Sequence, residues 1–371
     1  MTTPDLAAPR ARFLLPPAML FPHTADRAFI GPALLRLGDG TLLMAAPRGR
    51  PPVDFRQLAA RLPLPMIHRS VDGGRTWTEA GRFALDWALD GIPSDGGLTF
   101  LRLHDGRIAA LFHHHRAHGG GMPAIAFSPD EARTWTPARQ LLAHDDVFYV
   151  MNDRLIQLRS GRLLVPVSHK LGQWEGDIDE NLCVLSDDAG ANWRFSRGRL
   201  KLDHSRGLAE PAVVELPDGR LLLLARTGAG SHHAAWSDDG GETWTAPQPT
   251  SLTAACSPLT LHRLPDGRVI VFYNHAEPLS DAAFFPRNPL AYAVSADGGR
   301  HWSAPVVIDD EGLAGRAGHT LQHVYPGVSF LPEGILVVYS THYAGRDGSF
   351  SQPEGSWRIG GGKRCLLAYP D

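Results

Sequence analysis

The pattern Ser-x-Asp-x-Gly-x-Thr-Trp constrains this chain more than any other feature, because it returns at a nearly fixed interval. It is complete in Ser70–Trp77 and Ser237–Trp244, and near copies run over Ser128–Trp135, Ser186–Trp193 and Ser295–Trp302. Successive serines are 58, 58, 51 and 58 residues apart. A period of that size suits one four-stranded sheet per repeat, with the repeats set radially about an axis. The residue types explain a tight turn: Asp accepts backbone N–H groups, Gly supplies positive φ, and Trp brings a large apolar surface to pack.

A second pattern alternates with the first. Apolar β-formers flank a turn dipeptide at Asp39-Gly40, Asp105-Gly106, Ser160-Gly161, Asp218-Gly219, Asp266-Gly267 and Glu333-Gly334, a strong local hairpin signal. Five octapeptides (Asp-boxes) and six hairpins imply an all-β, six-bladed β-propeller of four-stranded antiparallel blades. The apolar segments Phe13–Phe21 and Cys365–Tyr369 are expected to complete the last blade from both chain ends. No linker-like stretch interrupts the period, so residues 1–371 read as one domain.

Composition narrows the partners. A net charge of -3 and no Lys/Arg run give no field to gather nucleic acid or an anionic membrane. Hydrophobic residues at 43% and charged residues at 20% can build a real core. Cys183, Cys256 and Cys365 are odd in number and lack metal-ligand spacing, so buried free thiols are expected. Neither an export signal nor a membrane span is legible, from which a cytoplasmic location is expected.

In a propeller the innermost strands line a central channel, and here they precede the turn dipeptides. Three of these strands open on polar residues: Asn152-Asp153-Arg154, Glu210 in Glu-Pro-Ala-Val-Val-Glu-Leu, and Tyr325 in Tyr-Pro-Gly-Val-Ser-Phe-Leu. Asn152 and Arg154 read equally as pocket residues or as satisfied structural polars. Tyr325 has a packing alternative, and Glu210 a purely structural salt bridge to Arg226.

On these segments the chain resembles the sialidase (neuraminidase) superfamily of glycoside hydrolases over nearly its full length. The run from Glu210 to Arg226 is similar to the family segment whose Glu assists the nucleophile and whose Arg binds the substrate carboxylate. Arg287 matches another carboxylate-binding Arg, the Tyr325 segment resembles the nucleophile-bearing strand, and Gly49–Asp54 is similar to the loop carrying the catalytic Asp. The resemblance thus implies Tyr325 as nucleophile, Glu210 as its base, Asp54 as acid/base, and Arg226 and Arg287 as carboxylate ligands. A phenol with a pKa of about 10 needs such a base at neutral pH, and a neutral phenol does not repel an anionic sugar. The chain departs from the family at Phe29-Ile30-Gly31-Pro32, where an Arg is expected in place of Ile30. Arg27 lies three residues upstream, about 10 Å along an extended chain. The acidic sugar therefore stays open among sialic acids, related nonulosonates and uronates.

The 18 histidines do not make a metal site, because neighbours on a strand point to opposite faces and no Cys or acidic partner has ligand spacing. His114, His232 and His342, near strand ends, are candidates for binding sugar, and Trp174 for stacking on it or wedging between blades. No cofactor is implied and a carbohydrate is the expected partner. Two other readings share the fold: a propeller hydrolase or lyase acting on a different sugar through His and Tyr, and a non-catalytic carbohydrate-binding propeller.

Overall fold

The computed structural model places each sequence repeat in its own antiparallel sheet. It describes residues 9–371 apart from 23–28, 30, 47–64, 84, 87–88, 90–91, 94–96, 116–120, 171–178, 205–206, 277–286, 313–318 and 346–360. Asp54, Arg27, Ile30 and Trp174 lie outside the described residues. Six sheets form the blades of a six-bladed β-propeller, and a short pair, Ile92–Pro93 with His114–His115, accompanies them.

Each blade starts at the axis and runs outward. Blade 4 shows the plan: Ala209–Glu215 innermost, then Leu221–Arg226, Ser231–Ser237 and Gln248–Thr253. The inner strands of the others are Ala33–Arg36, Thr99–Arg102, the split pair Val147–Tyr149 and Ile156–Gln157, Thr260–Arg263 and His319–Leu331. Inner strands of adjacent blades touch around the channel, for example those of blades 4 and 5. Blade 6 takes its outermost strand, Phe13–Phe21, from the other end of the chain, paired antiparallel with Gly361–Leu367.

The middle strands are apolar on both faces because each blade is covered on both sides. Leu221–Arg226 and Ile108–Phe112 are buried throughout. The core accordingly divides into six clusters, one between each pair of neighbouring blades. Between blades 4 and 5, Leu222, Leu224 and Ala234 pack on Val271, Tyr273 and Ala293.

The octapeptides staple the outer hairpins. In the first, Ser70 Oγ donates to Asp72 Oδ1 at 2.8 Å, and Asp72 accepts from Thr76 N at 2.9 Å and Thr76 Oγ1 at 2.6 Å. Where Thr is replaced the geometry survives: Asn192 Nδ2 donates to Asp188 at 2.7 Å, and His301 Nδ1 meets Asp297 at 2.6 Å. The Asn192 N–H and carboxamide hold the Asp188 carboxyl down to about 2. Gly241, at φ 88°, has no room for a side chain, since a Cβ there would lie 2.5 Å from Leu164 Cδ1. The second box carries Ala132 at the equivalent place and holds it at φ 62°. Cys183, Cys256 and Cys365 are buried free thiols.

Candidate active site

The backbone takes a left-handed turn in or beside the inner strands of four blades. Gly31, Asp153, Glu210 and Tyr325 all have positive φ, at 55°, 62°, 49° and 52°, and the ladder slips at two of them, between Ala209 and Ala212 and between Val324 and Gly327. Such a conformation costs a non-glycine residue on the order of 1–3 kcal/mol and persists only where the surroundings impose it. The bulge re-aims a side chain that regular alternation would send into the neighbouring blade. Tyr325 accordingly sits mid-strand in His319–Leu331, not at a strand start as the sequence suggests, and residues 152–154 lie between the two pieces of the blade 3 inner strand.

The bulges bring together side chains of blades 4, 5 and 6. Tyr325 Oη lies 3.5 Å from Glu210 Oε1, and Arg226 Nη1 lies 3.1 Å from Glu210 Oε2. The Arg287 guanidinium carbon stands 5.9 Å from the Tyr325 ring centroid. Arg287 is placed by its neighbours: its carbonyl accepts from His323 N at 2.9 Å, and the Asn288 carboxamide donates to the Glu311 and Leu321 carbonyls at 2.8 Å each. The Glu210 bend is held by Ser168 Oγ, which accepts from Glu210 N at 2.8 Å and donates to Asn181 Oδ1 at 3.2 Å.

The electrostatics follow from burial and charge. Burial, reinforced by the Glu210 charge, raises the Tyr325 pKa above its ordinary value, with Arg287 and Arg226 opposing. The phenol is therefore neutral at physiological pH. Burial works against the Arg226 charge, yet Glu210 outweighs it and the guanidinium pKa moves further up. The Nε atoms of Arg226 and Arg287 are buried without hydrogen-bond partners, donors left open beside the phenol.

The remaining sequence candidates divide. Arg154 is buried: Nη1 donates to the Asn152 carbonyl at 2.9 Å, and Nη2 to the Leu259 carbonyl at 2.6 Å. Asn152 Nδ2 donates to the Pro326 carbonyl at 3.1 Å. These donors of Asn152 and Arg154 are engaged by main-chain carbonyls. His114 Nδ1 lies 2.9 Å from Gln140 Nε2 of blade 2. His342 is buried on the face of blade 6 that carries Leu336 and Val338 toward blade 1. His232 is buried beside Arg226 with its ring edge-on to Tyr273 at 5.8 Å, and burial, with the Arg226 charge adding, pushes its pKa down to about 3. Among the described residues no three His, Cys, Asp or Glu side chains form a metal-holding group. No helix among them is long and apolar enough to cross a membrane.

The family model for BNR repeat-like domains matches residues 118–351, more than half of the chain. The chain is similar to a sialidase of Micromonospora viridifaciens, 26% identical over an alignment of 353 residues that covers 82% of this chain and 48% of that protein. It spans about half the length, or less, of the curated relatives it matches. Among solved structures, a protein of unknown function from Dyadobacter fermentans superposes with a TM-score of 0.70 at 19% identity, covering 97% of this chain and 100% of the other. A Hadza microbial sialidase superposes with a TM-score of 0.65 at 19% identity over 92% of this chain and 66% of that one. At such identities these two likenesses are of fold.

Proposed function

The chain belongs to the BNR repeat-like domain family, and from that premise we propose that it is a retaining, exo-acting glycoside hydrolase of sialidase type acting on an acidic sugar. The observation that carries the reading is the contact of one carboxylate with two partners: Glu210 meets the Tyr325 hydroxyl through one oxygen and the Arg226 guanidinium through the other. A phenol with a raised pKa attacks only if its proton has somewhere to go, and Glu210 is the base within reach.

In this proposal the Arg226 and Arg287 guanidiniums hold the sugar carboxylate, whose planar oxygens suit a guanidinium fork. Tyr325 Oη bonds to the anomeric carbon as its proton passes to Glu210 and the bond to the leaving oxygen breaks. Asp54, assigned by resemblance, protonates that oxygen. Asp54 then takes a proton from water, whose oxygen bonds the anomeric carbon while the phenolate leaves and recovers its proton from Glu210. The neutral nucleophile avoids setting an anion against the substrate's own charge.

A panel of aryl glycosides of sialic, related nonulosonic, uronic and neutral sugars tests the proposal. Turnover of an acidic glycoside that falls by at least a thousandfold in Tyr325→Phe supports it. Absence of turnover by the wild type, or unchanged turnover in the variant, sinks it. Saturated products separate it from a lyase, which leaves an unsaturated sugar absorbing in the near ultraviolet.

A further inference from the structure

Beside the proposed machinery stands a second phenol–carboxyl pair that the mechanism does not use. Tyr149, the last residue of Val147–Tyr149 in blade 3, is paired with Ser168, and Ser168 with Asn181. The three side chains share a row on the face of blade 3 that carries Cys183 and Leu185 against blade 4. Ser168 Oγ also takes the Glu210 N–H at 2.8 Å, so this row adjoins the bulge that presents Glu210. Tyr149 is half-buried, where most of its neighbours are enclosed.

The Tyr149 hydroxyl donates to Asp179 Oδ2 at 2.7 Å. Asp179 is 6% exposed and its other oxygen is buried without a hydrogen-bond partner, while Lys170, its cross-strand neighbour, and Arg226 bring positive charge to the carboxylate. Burial, then the Asp179 charge and that of Glu210, raises the Tyr149 pKa well above its ordinary value, with Arg226 opposing. The phenol thus stays protonated and its single proton is committed to Asp179. What Tyr149 Oη still offers is lone pairs, which makes it an acceptor and not a donor toward anything that meets it.

We propose that Tyr149 recognises a hydrogen-bond donor on the sugar, a hydroxyl or an acylamino N–H, with Asp179 as the positioning residue that fixes the phenol as acceptor. The proposal rests on the hydrolase reading above and deepens it: the substrate is an acidic sugar carrying such a donor on the side of the ring facing blade 3. A site built to accept a donor rejects an analogue lacking it, because the phenol lone pairs are then desolvated without a partner.

The test compares wild type, Tyr149→Phe, Asp179→Asn and Asp179→Leu on three 4-methylumbelliferyl glycosides: N-acetylneuraminic acid, its analogue with only hydrogen at C5 in place of the acylamino group, and its analogue with a shortened exocyclic chain. Tyr149→Phe is expected to raise KM roughly fivefold to tenfold on at least one of them with kcat within about twofold. Asp179→Leu, which frees the phenol proton, is expected to do the same with Tyr149 intact. Asp179→Asn retains an oxygen to accept that proton and is expected to restore KM to near the wild-type value. The substrate on which Tyr149→Phe brings no penalty tells which donor is read. Equal KM for wild type and Tyr149→Phe on all three, or a loss confined to kcat, overturns this proposal and leaves the hydrolase standing. A wild type that turns over no acidic glycoside overturns both.

Discussion

Acid should weaken this propeller through a histidine that cannot take up a proton without unfolding its surroundings. His232 is 1% exposed, neither ring nitrogen makes a hydrogen bond of normal geometry, and burial holds its pKa at about 3 against an ordinary 6.5. The unfolded chain therefore binds a proton that the native one refuses. His232 weighs in full on the side of the folded state above pH 6.5, and that contribution is lost as pH falls toward 3. At pH 4.5, two pH units below the unfolded value, the loss is on the order of 2–3 kcal/mol. His323, fully buried and pushed down to about 4, adds a similar amount. Substituting His232→Phe removes one of the two and places an aromatic ring against Tyr273 without an unsatisfied nitrogen. Urea unfolding at pH 7 and pH 4.5 should show that the variant loses roughly 2–3 kcal/mol less on acidification than the wild type. An equal loss in both proteins would refute the reasoning, because the proton linkage would then reside elsewhere.

Three further outcomes are expected. Ser168→Ala leaves the buried Glu210 N–H without its acceptor and should destabilise by roughly 1–3 kcal/mol, with activity falling as the bulge relaxes; Ser168→Thr, which keeps the hydroxyl, should recover most of both in parallel melts and rate measurements. Lys363→Met strips the buried Asp309 carboxylate of the ammonium 2.6 Å away, leaving Tyr339 and His323 beside it, and should cost about 3–5 kcal/mol in denaturant unfolding at pH 7. Asn192→Ala removes the carboxamide that helps hold Asp188 at about 2, so a carboxyl-resolved NMR titration should find its pKa higher than in the wild type.

The propeller was legible because its signals are local and repeated. Ser70, Asp72 and Thr76 bond to one another within one turn, so residue identity and spacing alone define that geometry. The same holds for the Asp-Gly and Ser-Gly turns, whose glycines at positions 40, 106, 161, 219 and 267 all have positive φ. Glu210, Arg226, Arg287 and Tyr325 were singled out through motif resemblance; Tyr325 and Arg226 meet the Glu210 carboxylate, and the Arg287 guanidinium stands by the Tyr325 ring. What could not be read was direction. Asn152 and Arg154 are polar residues at a channel, and only the coordinates reveal that their donors meet carbonyls of other blades. The His114 contact is equally unreadable, because its partner Gln140 lies in a different strand of blade 2. The Tyr149–Asp179 pair was missed because it joins residues 30 apart across a sheet, with no motif around either. A polar residue one strand row from Glu210 was the signal available, and pairing register was needed to use it.

Closing the ring with a strand from the opposite chain end has a kinetic consequence. Phe13–Phe21 meets its partner Gly361–Leu367 across nearly the whole sequence, so that pairing has the largest loop entropy to overcome and is expected to form after the rest of the blade stack. Until then the Gly361–Leu367 edge presents unsatisfied main-chain groups that a second chain can borrow. Aggregation during refolding should accordingly concentrate at this seam, and a synthetic peptide of residues 13–21 supplied in trans should suppress it.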